Sequence, residues 1–305
     1  MNKALDTNQW PVKQREVFHS HFDSTIWNDF PFRDDDIFIA TYAKSGTTWI
    51  QQIVSQLLFK GATGFNVAEI SPWIDFRLPP KEVKLAILAN QQHRRFLKTH
   101  LPLDALVYSP KAKYLYIARD GRDVLWSYYH HHSNHVDSVY KMLNEACGPE
   151  VEPFAPPQDE IIEYYRKWLE RDGYPIWSFW ENIATWWEYR HLPNMLMVHF
   201  GALKEDMPRE IHRIAEFLEI PIDESKWELI LEHCSFDYMK AHAEESAPLG
   251  GILWEGGAKT FINKGTNGRW REILSEADSA RYEALALNKL GPECAHWLAT
   301  GKMPT

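Results

Sequence analysis

The stretch "IFIATYAKSGTTWIQQIVSQLLF", residues 37–59, decides how the rest of the sequence is interpreted. It opens with a short apolar run rich in β-branched side chains, which predicts a buried strand. After Gly46, apolar residues recur at intervals of three and four, which predicts a helix. A strand, a tight turn and a helix in this order are the setting that a phosphate-binding loop requires.

The turn "AKSGTT", residues 43–48, departs from the common phosphate loop. In G-x-x-x-x-G-K-[ST] the lysine follows the second glycine, whereas Lys44 precedes Gly46 and no glycine lies five residues upstream. Gly46 permits a turn that a side chain would block. The free N–H groups at the start of the helix favour an anion, and Lys44 adds a positive charge. An ordinary strand-to-helix turn beside a lysine remains the alternative at this point.

The remaining pattern predicts a single α/β domain over residues 1–305. Three more apolar runs predict strands, at 94–100, 112–120 and 194–200, and helical patterns follow at 121–132 and 208–220. Strands that alternate with helices indicate a central parallel sheet flanked by helices. The sequence shows no internal repeat and no linker long enough to divide the chain.

Composition excludes several classes of protein. Hydrophobic residues make up 45% and charged residues 25%, as in globular domains. The net charge of −9 argues against a nucleic-acid partner but leaves room for a small anionic ligand. The three cysteines are widely spaced, which fits a reduced protein without structural zinc. The N-terminus lacks a signal-like apolar stretch and no run could span a bilayer, so a cytoplasmic location without a membrane partner is predicted.

Five motifs in order resemble those of the cytosolic-type sulfotransferase family. "TYAKSGTTW" (41–49) is similar to the family's T-Y-P-K-S-G-T-T-W, with Ala43 in place of the proline. The others are "FLKTHLP" (96–102), "YIARDGRDVLWSYYH" (116–130), "CSFDYMK" (234–240) and "FINKGTNGRW" (261–270). The likeness extends over about residues 37–270.

The resemblance implies an enzyme that transfers a sulfuryl group from 3′-phosphoadenosine-5′-phosphosulfate (PAPS) to a hydroxyl or an amine. The product would be adenosine 3′,5′-bisphosphate (PAP), and no metal is required. The implied donor site comprises Lys44, Ser45, Gly46, Thr47 and Thr48 for the 5′ end, Trp49, Phe200 and Phe236 for the adenine, and Arg119, Ser127, Lys264 and Gly265 for the 3′-phosphate.

His100 is the predicted catalytic base, because an acceptor hydroxyl must lose its proton and a neutral histidine accepts one near pH 7. It follows Lys98 by two residues at the end of a predicted strand, so both side chains face one side if the strand stays regular. Lys98 is predicted to stabilise the transferring group, and Lys44 the leaving phosphate. A packed or exposed histidine is the alternative.

Two other groups of polar residues leave alternatives open. Arg119 ends an apolar strand, where α/β sheets place their ligands, and could bind a phosphate through two hydrogen bonds. An ion pair with Asp120 or Asp123 is the alternative. In "HHHSNH" (130–135) two histidines are spaced i, i+4, but H-E-x-x-H is absent. A solvated helix face is therefore predicted there, rather than a metal site.

Several residues depart from the family pattern. Asn263 stands where the family has an arginine for the 3′-phosphate, so either donor affinity is lower or another basic residue compensates. Phe200 replaces a tyrosine, Cys234 a threonine and Arg269 an aspartate. The family's dimer motif is missing after Trp270, which leaves the oligomeric state open.

The sequence predicts only a general class of acceptor and two candidate residues of its pocket. Trp73 and Phe76, in "SPWIDFRLPP" (71–80), are candidate walls of a pocket for a phenol or another small apolar alcohol, with core packing as an equal alternative. The segments 145–160 and 244–260 are predicted to be either lids or tolerated insertions.

Two other functions compete with sulfuryl transfer. A phosphate-loop kinase for small molecules would need Mg²⁺-ATP and a carboxylate such as Asp120. A non-catalytic module that senses the nucleotide is the second alternative.

Overall fold

The structure is a computed structural model that describes residues 10–148 and 151–304. Residues 1–9 and 305 of the predicted domain lie outside the described residues, and so do residues 149–150 of the segment 145–160; residues 1–9 are half of the N-terminal stretch 1–18 assessed for a signal peptide.

The described residues form a sheet of four parallel strands in the order β2-β1-β3-β4. The strands are β1 Ile37–Thr41, β2 Phe96–Thr99, β3 Lys113–Ala118 and β4 Met195–His199, each within a predicted run. Ala40 pairs with Thr99, and Thr41 with Ile117, so the strands end at one edge of the sheet. The chain order reverses between β1 and β3, which is where such sheets bind ligands.

Helices cover both faces of this sheet. They are α1 Thr47–Leu58, α2 Val67–Ile70, α3 Lys81–Ala89, α4 Gly121–Ser133, α5 Asp137–Glu145, α6 Ile161–Glu170, α7 Phe179–Glu188, α8 Phe200–Glu205, α9 Met207–Leu218, α10 Trp227–Cys234, α11 Phe236–Ala241, α12 Ala258–Phe261 and α13 Glu276–Thr300. Short 3-10 helices lie at Ser24–Asp29, Leu103–Ala105, Glu224–Lys226, Ala243–Glu245, Pro248–Gly251 and Arg269–Glu272.

Two hydrophobic cores follow from the alternation of side chains along the strands. In β1, Ile37 and Ile39 pack with residues of α1, α9 and α10. Phe38 and Ala40 point to the opposite face and pack with residues of α4, α6, α7 and α13. Strands buried on both faces explain why the predicted runs are continuously apolar rather than alternating. The predicted α/β class is confirmed.

Candidate active site

A cavity of about 860 Å³ lies at the edge where β1, β2 and β3 end. Every residue of the predicted donor site lines it except Ser45, and so do Lys98, His100, Trp73 and Phe76. Ser45 is buried, and its hydroxyl has no hydrogen-bond partner among the described residues. The fold therefore brings together residues from five separate motifs.

The phosphate loop is shaped by Gly46, the N-cap of α1. Its φ is 115°, a left-handed value that a side chain rarely tolerates. A Cβ there would lie 2.8 Å from Cδ1 of Ile117 and 2.9 Å from Cδ2 of Phe200. The loop therefore packs directly on β3 and on the start of α8. The first N–H groups of α1, at Thr47 and Thr48, have no intrahelical partner and can receive an anion.

Lys44 makes a contact that the sequence did not indicate. Its Nζ donates to Nδ1 of His131 on α4 at 3.2 Å and lies 4.8 Å from the centre of the Phe261 ring. Burial, together with the charges of Arg119 and Lys98, lowers the pKa of Lys44 to about 7. Burial also holds the pKa of His131 well below its usual value, so the ring is neutral and can accept this hydrogen bond.

His100 is buried at the end of β2, and its ring orientation is determined by one hydrogen bond. Its Nδ1 lies 2.7 Å from the carbonyl oxygen of Thr41. Because a carbonyl can only accept, Nδ1 carries the proton and Nε2 is the basic nitrogen. Burial and the charges of Lys98 and Lys44 lower the pKa of His100 to about 3, so the ring is neutral across the physiological range.

Residues 72–74 run beside β2 and bring Trp73 against the histidine. Lys98 N–H donates to the carbonyl of Pro72 at 3.1 Å, and Ile74 N–H to the carbonyl of Lys98 at 3.1 Å. The Trp73 ring meets His100 edge-on, with 4.6 Å between centroids. Phe76 stacks on Trp73 at 4.8 Å. Both aromatic residues line the cavity as well as packing, so the core-packing alternative does not describe them fully.

Asp75 anchors this segment and was not singled out from the sequence. Its buried carboxylate accepts hydrogen bonds from the side chains of Trp73, Thr99 and, at 3.1 Å, Trp27. Burial lowers the pKa of Lys98 to about 8, and the Asp75 carboxylate opposes that shift. The carboxylate thus orients Trp73 and supports the charge of Lys98.

Arg119 lies between the phosphate loop and the segment 266–267. Its Nε donates to Oδ1 of Asn267 at 2.9 Å, and its Nη2 to the carbonyl of Thr266 at 2.7 Å. Burial lowers its pKa to about 10. Asp120 instead forms its ion pair with Arg122 at 2.7 Å, so the predicted alternative of an Arg119–Asp120 pair is wrong.

The second carboxylate of that alternative is also engaged elsewhere. Asp123 accepts from the backbone N–H of Gly268 at 2.8 Å, and no ion pair joins it to Arg119 in the described part of the chain. The guanidinium of Arg119 is therefore held by neutral acceptors and not by an ion pair with either aspartate, and it keeps N–H groups that a ligand can use. Because both oxygens of Asp120 bind Arg122, it is also a poor magnesium ligand.

The expectation of a solvated histidine face is wrong. His132 is buried, and its ring nitrogens contact the hydroxyl of Tyr164 at 2.9 Å and the carbonyl of Ala155 at 2.8 Å. His131 and His135 pack against Trp254 at 5.0 Å and 5.3 Å. The i, i+4 spacing identifies a shared face of α4 but not the segments that cover it. Within residues 10–148 and 151–304, no group of three or more His, Cys, Asp or Glu is arranged to hold a metal ion.

The two predicted lid segments take part in these contacts. Phe154 is buried and stacks on His132 at 4.4 Å. The segment 244–260 contains the 3-10 helix Pro248–Gly251, the end of the 3-10 helix Ala243–Glu245 and most of α12. Its Trp254 packs on Phe261 at 4.6 Å as part of the cavity wall. Whether either segment moves remains a prediction.

An α/β domain with a phosphate loop after β1 and cations at the ends of β2 and β3 fits the class of transferases that use a phosphorylated nucleotide. The sulfotransferase domain family matches residues 34–291. A glycolipid sulfotransferase of Mycobacterium tuberculosis (strain ATCC 25177 / H37Ra) is 31% identical over 97% of this chain and 97% of its own length. Sulfotransferase 1A1 of Canis lupus familiaris is 29% identical over 84% of this chain and 83% of its own.

A solved structure shares the fold as well. Retinol dehydratase, in complex with androsterone and the inactive cofactor PAP, superposes with a TM-score of 0.68 and 25% identity, over 87% of this chain and 83% of that one. The chain belongs to the sulfotransferase family, as its motifs predict. No helix of the described residues is both long and apolar enough to cross a bilayer.

Proposed function

We propose that this protein transfers the sulfuryl group of PAPS to a hydroxyl of a small, apolar or aromatic acceptor, with His100 as the general base. The observation that carries the proposal is the hydrogen bond from His100 Nδ1 to the Thr41 carbonyl, at 2.7 Å. It leaves Nε2 as the proton acceptor in a cavity that Lys44 and Lys98 also line. An amine acceptor is compatible with the same base.

The residues present suit the donor. Gly46 and Gly265 both have positive φ, and a Cβ at either would clash, at 265 with the Phe236 ring at 2.6 Å. Both loops therefore need glycine to pack against their neighbours, and neither glycine carries a side chain that would keep a phosphate away from the backbone. Trp49 Nε1 donates to the carbonyl of Cys234 at 2.8 Å, which fixes an aromatic wall for the adenine. Arg119, Ser127 and Lys264 supply donors and charge for a second phosphate.

Catalysis in this proposal combines positioning with electrostatics. When bound, PAPS supplies an activated sulfuryl group on its 5′-phosphate. His100 receives the acceptor proton at Nε2. Its low pKa makes it a weak base, so the proton is expected to move only as the acceptor oxygen becomes acidic in the transition state. Lys98 and Lys44, which line the same cavity as His100, provide positive charge for the transferring group and for the leaving phosphate.

The acceptor part of the proposal is supported by the cavity walls. Trp73, Phe76, Trp177 and Trp254 all line the cavity and supply large apolar surfaces. Retinol dehydratase, a structural neighbour, is bound to androsterone, which agrees with an apolar alcohol. The predicted cytoplasmic location and the absence of nucleic-acid partners stay predictions.

The donor assignment is tested by thermal unfolding with PAP, with ATP, and with ATP plus Mg²⁺. A ligand at about one hundred times its Kd stabilises the folded state by about 2.7 kcal/mol. Stabilisation by PAP without metal supports the proposal. Stabilisation by ATP only when Mg²⁺ is present would replace it with the kinase.

The role of His100 is tested by His100→Ala and His100→Gln. We expect turnover to fall by about 10²- to 10⁴-fold, the usual contribution of a general base, while the Kd for PAP changes little. The same experiment rejects a module that only senses the nucleotide, because a loss of turnover can be measured only if the wild-type protein transfers the sulfuryl group. Undiminished turnover in either variant would remove His100 from the mechanism.

A further inference from the structure

Two departures from the family pattern lie six residues apart and have opposite effects on charge. Asn263 removes a cation from the predicted 3′-phosphate site, and Arg269 introduces one where the family has an aspartate. We propose that Arg269 replaces the missing arginine and binds the 3′-phosphate of the donor. The inference rests on the proposed use of PAPS and assigns one more residue to that site.

The position of Arg269 supports this role. It lines the same cavity as Arg119, Ser127 and Lys264. Its guanidinium lies 4.9 Å from the centre of the Trp126 ring, an aromatic surface that can hold it in place. Burial is the main cause of the lowered pKa of Arg119, Asp123 and Asp120 oppose it, and the charge of Arg269 adds to the lowering, which agrees with two guanidinium groups near one another.

The protein offsets these charges only in part: Asp123 and Asp120 act on Arg119 through their charges, but in the described structure neither forms an ion pair with it. Among the described residues, no ion pair engages Arg119, Lys264 or Arg269, whereas Arg122 is paired with Asp120 and Glu283. Unpaired cations at one end of a cavity repel each other, and a bound dianion converts that repulsion into attraction. The cluster therefore fits a phosphate monoester better than a neutral group.

The local backbone holds Arg269 toward this cluster. Gly268, with φ of 82°, is the N-cap of the 3-10 helix Arg269–Glu272. The N–H of Gly268 donates to the carboxylate of Asp123 at 2.8 Å, so α4 holds the turn. The carboxylate of Asp123 thus anchors Gly268, and Arg269 is the next residue in the chain.

Other basic residues nearby are less suited to the role. Lys240 uses its Nζ to bind backbone carbonyls, including that of Asn263 at 3.0 Å. Arg271 lies over the Trp270 ring at 4.4 Å and is not among the cavity residues. Lys204 does line the cavity, but it is exposed on α8, whereas Arg269 is half-buried.

The test compares two ligands that differ in the 3′-phosphate. Calorimetric titration of the full chain measures Kd for PAP and for adenosine 5′-phosphate. For Arg269→Ala we expect the Kd for PAP to rise about 10- to 100-fold, the worth of one charge-assisted hydrogen-bonded contact, and that for adenosine 5′-phosphate to change less than about twofold. Arg271→Ala, on the same turn, is the matched control and should change neither.

A charge exchange gives a second test. Arg269→Asp should weaken PAP more than Arg269→Ala does, because it adds repulsion to the lost contact. Adding Asn263→Arg to Arg269→Asp recreates the family arrangement and should recover most of the lost affinity. The gain from Asn263→Arg should be larger in Arg269→Asp than in wild type, whereas equal gains would mean that Arg269 only stabilised the turn; this comparison does not need Arg269→Ala to fold.

The remaining outcomes overturn the inference. Equal weakening of both ligands by Arg269→Ala would mean a structural role, and no change in either would mean no role. A large loss for PAP in Lys204→Ala with none in Arg269→Ala would assign the compensation to Lys204. If wild type fails to bind PAP at all, the proposed donor itself is wrong, which is a different result.

Discussion

Lys44 is a cation whose surroundings disfavour its charge, and donor binding should therefore depend on pH. Its pKa is about 7 because it is buried near Arg119 and Lys98. Its contacts in the described structure, the neutral His131 ring and the face of Phe261, do not neutralise it. A phosphate placed beside Nζ favours the ammonium form and so raises the pKa of the bound state.

The sign and size of the effect follow from this shift. Since binding raises the pKa, affinity is highest below pH 7 and falls as the pH rises through 7, by at most tenfold per unit. At pH 8 about one molecule in eleven still carries the charge, so PAP should bind roughly tenfold more weakly than at low pH. Lys98, with a pKa of about 8, adds roughly a further factor of two there.

The assay is calorimetric titration of PAP between pH 6.5 and 8.5 at constant ionic strength, for wild type and Lys44→Met. The ligand's own phosphates titrate near pH 6, so the informative quantity is the ratio of the variant's Kd to that of wild type. We expect this ratio to fall steadily above pH 7. A ratio that stays constant and large would mean that Lys44 does not titrate in this range, and a ratio near one throughout would mean that it does not contact the phosphate.

Two further predictions concern the loop and the acceptor. Gly46→Ala forces a Cβ to within 2.8 Å of Ile117 at a φ of 115°, so it should lower the free energy of unfolding by about 1–3 kcal/mol and weaken the binding of PAP. Gly64→Ala is the control, because its φ is 87° but nothing lies within 4 Å, so it measures backbone strain alone. Equal effects of the two substitutions would show that the contact with Ile117 is unimportant. Ile87 lines the cavity although its side chain is 48% exposed. Ile87→Ser should therefore raise the KM for 4-butylphenol about fourfold for each methylene that loses contact, but should leave the KM for phenol unchanged. Leu287→Ser, at an exposed position, is the control, and equal changes in KM for both acceptors would contradict an apolar wall at Ile87.

The parts of the site that the sequence predicted depend on short stretches of chain. The strand, the turn at Gly46 and the helix of 37–59 follow from residue size and periodicity within one segment. Lys98 and His100 line one cavity because alternate residues of a strand share a side, and His100 continues that direction one residue beyond β2. Motif order then indicated the family, and the matched domain confirms it.

The sequence could not show which distant residue each polar side chain contacts. Arg119 could have paired with an adjacent aspartate, but packing gave Asp120 to Arg122 and left Arg119 to the segment 266–267. Lys44 meets His131 across 87 residues, and only the packing of α4 against the loop makes that contact. Local patterns determine which face a side chain occupies, whereas the residue that covers that face depends on how distant segments fill the same space.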